Sequence, residues 1–172
     1  MPTQIYAGPG RGKSTAAYGL ALRAAGAGLR VFILQFMKAG FPYKELTALS
    51  RLAPEITVVQ RCGDAFVIEK RPPNDAELAE AAAALDEART TLVAGRYDVV
   101  ILDEICVAVH FGLIPEPAAR ALIASRPDSV ELILTGRYCP EAWFELADLV
   151  TEMREVKHYY QQGVTSREGF DC

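Results

Sequence analysis

The sequence predicts an α/β domain, a mostly parallel sheet of about six strands with helices on both faces. Three observations carry that expectation. Short β-branched and aliphatic runs alternate with helical periodicity nearly from end to end. The runs are apolar at successive positions, as in strands covered on both faces. No internal repeat or interdomain linker interrupts residues 1–172, which read as a single domain. A chain of this length buries roughly 70% of its unfolded surface, enough for a core without staples.

Taken in order, the strands are expected at 4–6, 30–35, 56–60, 98–102, 131–135 and 149–153. The first helix opens at about Lys13 and stops at Gly26 or Gly28. Asn74, with Glu77 three residues on, caps a second helix whose Leu78, Ala81, Leu85, Ala88 and Leu92 share one face until Gly95 ends it. Pro115 and Pro117 fit the opening turn of another helix. Pro140 opens an amphipathic one on which Trp143, Phe144 and Leu146 pack toward the core. Periodicity lapses over 62–73, where "KRPPND" breaks structure.

Composition narrows the function. Hydrophobic residues are 51% and charged residues 23%, a globular balance. The net charge of -4 provides no basic face for a polyanion, so nucleic acid is not an expected partner. A small phosphate ligand remains compatible, because local backbone N–H groups and a few cations can hold it. Cys62, Cys106, Cys139 and Cys172 form no metal or dithiol pattern and read as free thiols. No apolar run reaches the roughly 18 residues of a membrane span. A soluble, cytoplasmic protein without a membrane partner is expected.

The stretch "YAGPGRGKST" follows a short strand and opens a helix, the context of a phosphate-binding P-loop. Gly8, Pro9, Gly10, Arg11, Gly12, Lys13, Ser14 and Thr15 are the nucleotide-binding candidates: backbone N–H groups receive phosphate oxygens, Lys13 adds charge and Ser14 can ligate magnesium. The usual pattern nevertheless requires glycine where Ala7 stands. "DVVILDE" ends a buried strand in Asp103 and Glu104, which suits a Walker B carboxylate beside a metal held by Ser14. "ELILTGR" brings Arg137 to the same sheet edge, where it can hold phosphate or ribose. "QFMK" offers Gln35 and Lys38 to that edge with weaker support. His110 reads as a core or boundary residue, and His158 as either a substrate-facing or a packed tail residue.

Together these elements resemble the ATP:corrinoid adenosyltransferases, the cob(I)yrinic acid a,c-diamide adenosyltransferase family of cobalamin synthesis. The residues that carry the resemblance are "YAGPGRGKSTAAYGLALRAAGAG", "VFILQFMK", "YDVVILDE", "LILTGR" and "ADLVTEMREVKHYYQQGVTSREGFD". The last is the most discriminating, since ordinary P-loop kinases have no counterpart to it.

The resemblance implies a RecA-like P-loop fold and a loop of the form GxGxGK[ST][ST], in which the non-glycine at Ala7 is a family trait. It implies ATP bound with its triphosphate reversed relative to kinases, magnesium or manganese, and a corrinoid substrate. Cobalt reduced to Co(I) would attack the 5′ carbon of ATP and expel triphosphate. Lys13 and Glu104 are the implied catalytic residues, with Arg11 as a further cation. Ser14 and Glu104 are the implied metal ligands, with Asp103 in support. The family's Phe-x-Trp, which packs beneath the corrin, has its nearest match at Phe66, Val67 and Ile68, making Phe66 and Ile68 the corrinoid-binding candidates. The first strand is expected at the start of the chain, without the N-terminal extension that covers the site in some relatives. A flavoprotein reductase as electron donor and a homodimer are also implied. Two other readings stay open: a small P-loop phosphotransferase or NTPase acting at the γ-phosphate, and a nucleotide-dependent corrinoid carrier.

Overall fold

The computed structural model of the chain describes residues 1–40 and 43–170; Cys172, expected to be a free thiol, lies outside the described residues. Six strands form at the expected places: β1 Thr3–Ala7, β2 Val31–Phe36, β3 Ile56–Arg61, β4 Val99–Asp103, β5 Glu131–Gly136 and β6 Leu149–Glu152. All pair in parallel in one sheet of order β3-β2-β4-β5-β1-β6. The helices are α1 Lys13–Gly26, α2 Lys44–Leu49, α3 Ala65–Ile68, α4 Asp75–Val93, α5 Ile105–His110 and α6 Glu116–Ala124.

The unbroken apolar runs of the strands serve two cores, because successive side chains leave opposite faces of a sheet. On β2, Phe32, Leu34 and Phe36 enter one core with Leu85, Ala88 and Leu92 of α4 and Leu122 of α6. Val31 and Ile33 enter the other, with Ala17, Ala21 and Ala24 of α1. Helices therefore cover both faces. The small alanine side chains permit close helix–sheet packing, and the short connection from Ala7 to Lys13 sets the N-terminus of α1 near the end of β1.

The cap of α4 is the expected capping box. Asn74 Oδ1 accepts from the Glu77 N–H at 3.0 Å, and Glu77 Oε2 accepts from the Asn74 N–H at 2.8 Å. Arg71 grips the same Glu77 carboxylate with both terminal nitrogens, at 2.7 and 2.8 Å.

Four expectations need correction. Every residue of β6 is exposed, although both faces of each strand were expected to be covered. β6 lies outside β1 at the sheet margin and, among the described residues, has no second strand neighbour. Trp143 sits on a 3₁₀ segment, Glu141–Leu146, rather than an amphipathic α-helix, since β6 begins at Leu149 and leaves room for little more than one turn. It is still core: fully buried, with the indole Nε1 donating to Glu116 Oε1 at 2.9 Å. His110 is exposed rather than packed inside, its ring stacked on Tyr138 at 4.0 Å. The 62–73 segment contains α3, whose Phe66 is buried and anchors that turn to the first core.

Among the described residues, no helix is long and apolar enough to cross a membrane. An all-parallel sheet gathers its strand-to-helix loops at one edge, and the loops after β1, β2, β4 and β5 carry the chemical motifs.

Candidate active site

Ala7 is the last residue of β1. It pairs with Gly136 and Glu152 and is buried, so the position the usual pattern gives to glycine is still extended strand here. The turn begins one residue later at Gly8, with φ +100°. A Cβ on Gly10 would stand 2.6 Å from the Met153 carbonyl oxygen, because the chain leaving β6 presses on the loop and accepts a hydrogen bond from the Gly10 N–H. Glycine is required there by close backbone approach.

The loop feeds into α1, which has no side-chain cap and no acid in its first turn, so its N-terminal N–H groups and dipole suit an anion. Lys13 is buried and its ammonium donates to the carbonyls of Gly8, at 2.9 Å, and Gly10, at 2.6 Å. Burial holds its pKa below the ordinary lysine value, partly offset by the nearby Glu104 charge.

Asp103 and Glu104 end β4 in different states. Asp103 is fully buried. Its Oδ2 accepts from Tyr18 Oη at 2.5 Å and Lys38 Nζ at 2.7 Å, and its Oδ1 accepts from Thr135 Oγ1 at 2.6 Å. Burial alone would raise this carboxyl; the Lys38 charge and the three donors hold it below its ordinary value. Glu104 adopts a left-handed backbone, φ +62°, at the N-terminus of α5, where its N–H donates to Thr135 Oγ1 at 3.0 Å. Burial, then repulsion from Asp103, raises its pKa. Left-handed φ on a non-glycine residue costs energy and marks positions the surroundings over-determine.

A cleft of about 620 Å³ lies over these groups. Arg11, Lys13, Lys38, Lys44 and Arg137 line it against two carboxylates, Glu45 and Glu104, so a net-acidic chain carries a locally cationic cleft. Gly12, Ser14 and Thr15 also line it, whereas Gly8 and Pro9 face a second cavity beyond Arg137. His158, Gly169 and Phe170 reach the cleft from the C-terminal segment. Two contacts tie that segment to the body: the Arg11 guanidinium lies 5.8 Å from the centre of the Tyr159 ring, and Lys44 of α2 pairs with Glu168 at 2.8 Å; within the segment, the Arg167 guanidinium lies 4.7 Å from the same ring. His158, open in the sequence between a substrate-facing and a packed position, lines the cleft.

Most of the sequence candidates thus meet at one edge. The corrinoid candidates do not join them: Phe66 is buried against Phe111, with ring centres 6.5 Å apart, while Ile68 is 71% exposed, and neither lines the cleft. Residues the sequence reading missed are Tyr18, Tyr43 and Tyr159. No motif or spacing rule marks a tyrosine at these positions.

The donor set bears on metal binding. Among the described residues no three His, Cys, Asp or Glu stand together as a metal cage. Ser14 Oγ and the Glu104 carboxylate face the same cleft and are hard oxygen donors, which fits magnesium or manganese completing its shell with phosphate oxygens and water. Asp103 fits less well as a direct ligand, because its oxygens are already taken by Lys38, Tyr18 and Thr135.

The model of the family described as ATP:corrinoid adenosyltransferase BtuR/CobO/CobP matches residues 2–172. The chain belongs to that family. It is 34% identical to the corrinoid adenosyltransferase of Escherichia coli K12 over 97% of this chain and 83% of that protein. The corrinoid adenosyltransferase CobA of Salmonella typhimurium is 33% identical over the same shares. An uncharacterized protein of Nostoc sp. is 37% identical over 98% of this chain, which spans 47% of that protein's length. The ATP:corrinoid adenosyltransferases are enzymes that use the two substrates the resemblance implied, and the family match covers every motif that suggested it.

Proposed function

We propose that this protein transfers the 5′-deoxyadenosyl group of ATP to the Co(I) centre of a corrinoid and releases triphosphate, in adenosylcobalamin biosynthesis or salvage. The observation that carries the reading is the cationic cleft at the phosphate loop, crossed by the C-terminal segment that distinguishes the family's sequence.

In this reading the loop from Gly8 to Thr15 cradles the triphosphate as a leaving group. Cobalt's electron pair forms the bond to the 5′ carbon, and the carbon–oxygen bond breaks with its pair retained by triphosphate. Co(I) is already strongly nucleophilic, so the protein supplies position and charge rather than a base. Lys13, Arg11 and Arg137 face the developing negative charge. Ser14 and Glu104 would hold magnesium or manganese, which when bound neutralises phosphate charge. Asp103 acts behind them through Lys38. Phe66 and Ile68 are assigned to the corrin: Phe66 as a buried support, Ile68 as an exposed apolar contact. The RecA-like classification, a homodimer, a flavoprotein reductase as electron source and a cytoplasmic setting complete the proposal.

The test is incubation of the protein with ATP, magnesium and chemically reduced corrinoid. A light-sensitive adenosylcorrinoid is expected; a corrinoid spectrum unchanged over many equivalents of enzyme contradicts the reading.

A further inference from the structure

Lys38 leaves β2 and joins the two phosphate-site motifs. Its ammonium donates to Asp103 Oδ2 at 2.7 Å and to Ser14 Oγ at 3.3 Å, and its side chain is 11% exposed. Gln60 Nε2 fixes its backbone by donating to the Lys38 carbonyl at 2.9 Å. The ring centres of Tyr43 and Tyr18 lie 5.0 and 5.9 Å from the ammonium. Tyr18 in turn accepts from Gln35 Nε2 and donates to Asp103, so a buried network sets the geometry from both sides.

A serine hydroxyl beside a strand-end carboxylate is where a phosphate-loop protein can hold a divalent cation. Here a covalently attached monovalent cation occupies the space between the two. A metal bound directly to Asp103 would have to share that carboxylate with an ammonium, and like charges at such separations repel strongly in a low-dielectric site.

We propose that Lys38 is a positioning residue that acts as a resident cation: it keeps divalent metal off Asp103 and limits the metal's protein ligands to Ser14 and Glu104. Metal is then held firmly only together with triphosphate oxygens, which makes metal binding conditional on nucleotide. The inference rests on the cleft being the ATP site, but it requires no corrinoid chemistry.

Titration of the nucleotide-free protein with Mn²⁺, followed by the electron paramagnetic resonance signal of the free ion, tests it. Lys38→Met should bind one Mn²⁺ at least about tenfold more tightly than wild type, the scale on which groups around a metal's ligands move affinity. Lys38→Arg, which keeps the charge, should match wild type. The double variant Lys38→Met with Asp103→Asn should lose the gain, because the freed carboxylate is gone. Equal affinities in Lys38→Met and wild type, with folding verified by circular dichroism, overturn the proposal. Tight, micromolar Mn²⁺ binding by nucleotide-free wild type overturns it as well, whether or not the variant folds. The expected Mn²⁺ pattern in a protein that fails to make adenosylcorrinoid sinks the proposed function and leaves the role of Lys38 standing; adenosyl transfer with no Lys38→Met effect does the reverse.

Discussion

In the proposed function, Lys13 is the residue on which phosphate binding should depend most. Its ammonium already lies on the loop carbonyls, so turning toward a triphosphate would exchange two neutral carbonyl acceptors for anionic oxygens. Lys13→Ala should lower kcat/KM for ATP by roughly a hundredfold or more, on the scale of losing one donor to developing charge. Unchanged steady-state kinetics would remove Lys13 from the site. As a proposed metal ligand, Glu104 predicts a pH dependence. Its pKa is raised above the ordinary 4.5 by burial and by Asp103, so the ionised form that can ligate metal disappears as pH falls through that raised value. The acid limb of the kcat/KM profile should therefore lie above pH 4.5, and Glu104→Gln should abolish the limb and reduce activity at neutral pH. A variant that keeps the wild-type limb would show that another group titrates.

Among the elements, the phosphate loop and the exit from β6 behave as one piece. Gly10→Ala would place a methyl carbon 2.6 Å from the Met153 carbonyl oxygen, and relief requires moving backbone on one side or the other. Loss of ATP binding with retained α/β circular dichroism is expected; full binding by calorimetry would mean that the loop does not need this contact. The α4 capping box lies away from the cleft and separates stability from function. Asn74→Ala should cost about 1 kcal/mol of stability, seen as a lower Tm, with kcat unchanged. Glu77 titrates at about 2 instead of 4.5, held down by its hydrogen bonds from Arg71 and the Asn74 backbone. Its depressed pKa means that its contribution is complete above pH 4.5 and is lost as pH falls through about 2, so the stability gap between wild type and Glu77→Gln should narrow over that range.

At the scale of the whole molecule, the strands were legible because apolar runs flanked by Gly, Pro and acidic residues punctuate the chain, and each fell within two residues of its place. The loop, Asp103, Glu104 and Arg137 were legible because strand ends in parallel sheets share an edge. Other features depended on three-dimensional neighbours. The exposure of β6 follows from strand order, which periodicity does not encode. The separation of Phe66 from Ile68 follows from one helical turn that turns one side chain inward and the other out. The Lys38–Asp103 pair joins a residue just past the end of β2 to the last residue of the neighbouring β4, which no local pattern connects. The Ala7 departure became intelligible only once β1 was seen to run through it.

The fate of the phosphates decides between reaction at the adenosine end of ATP and reaction at the γ-phosphate. Phosphorus NMR of the reaction with ATP, magnesium and pre-reduced corrinoid should show intact inorganic triphosphate in step with adenosylcorrinoid. Release of ADP with phosphate or a phosphorylated product, without triphosphate, would contradict it and make the protein a phosphotransferase or NTPase.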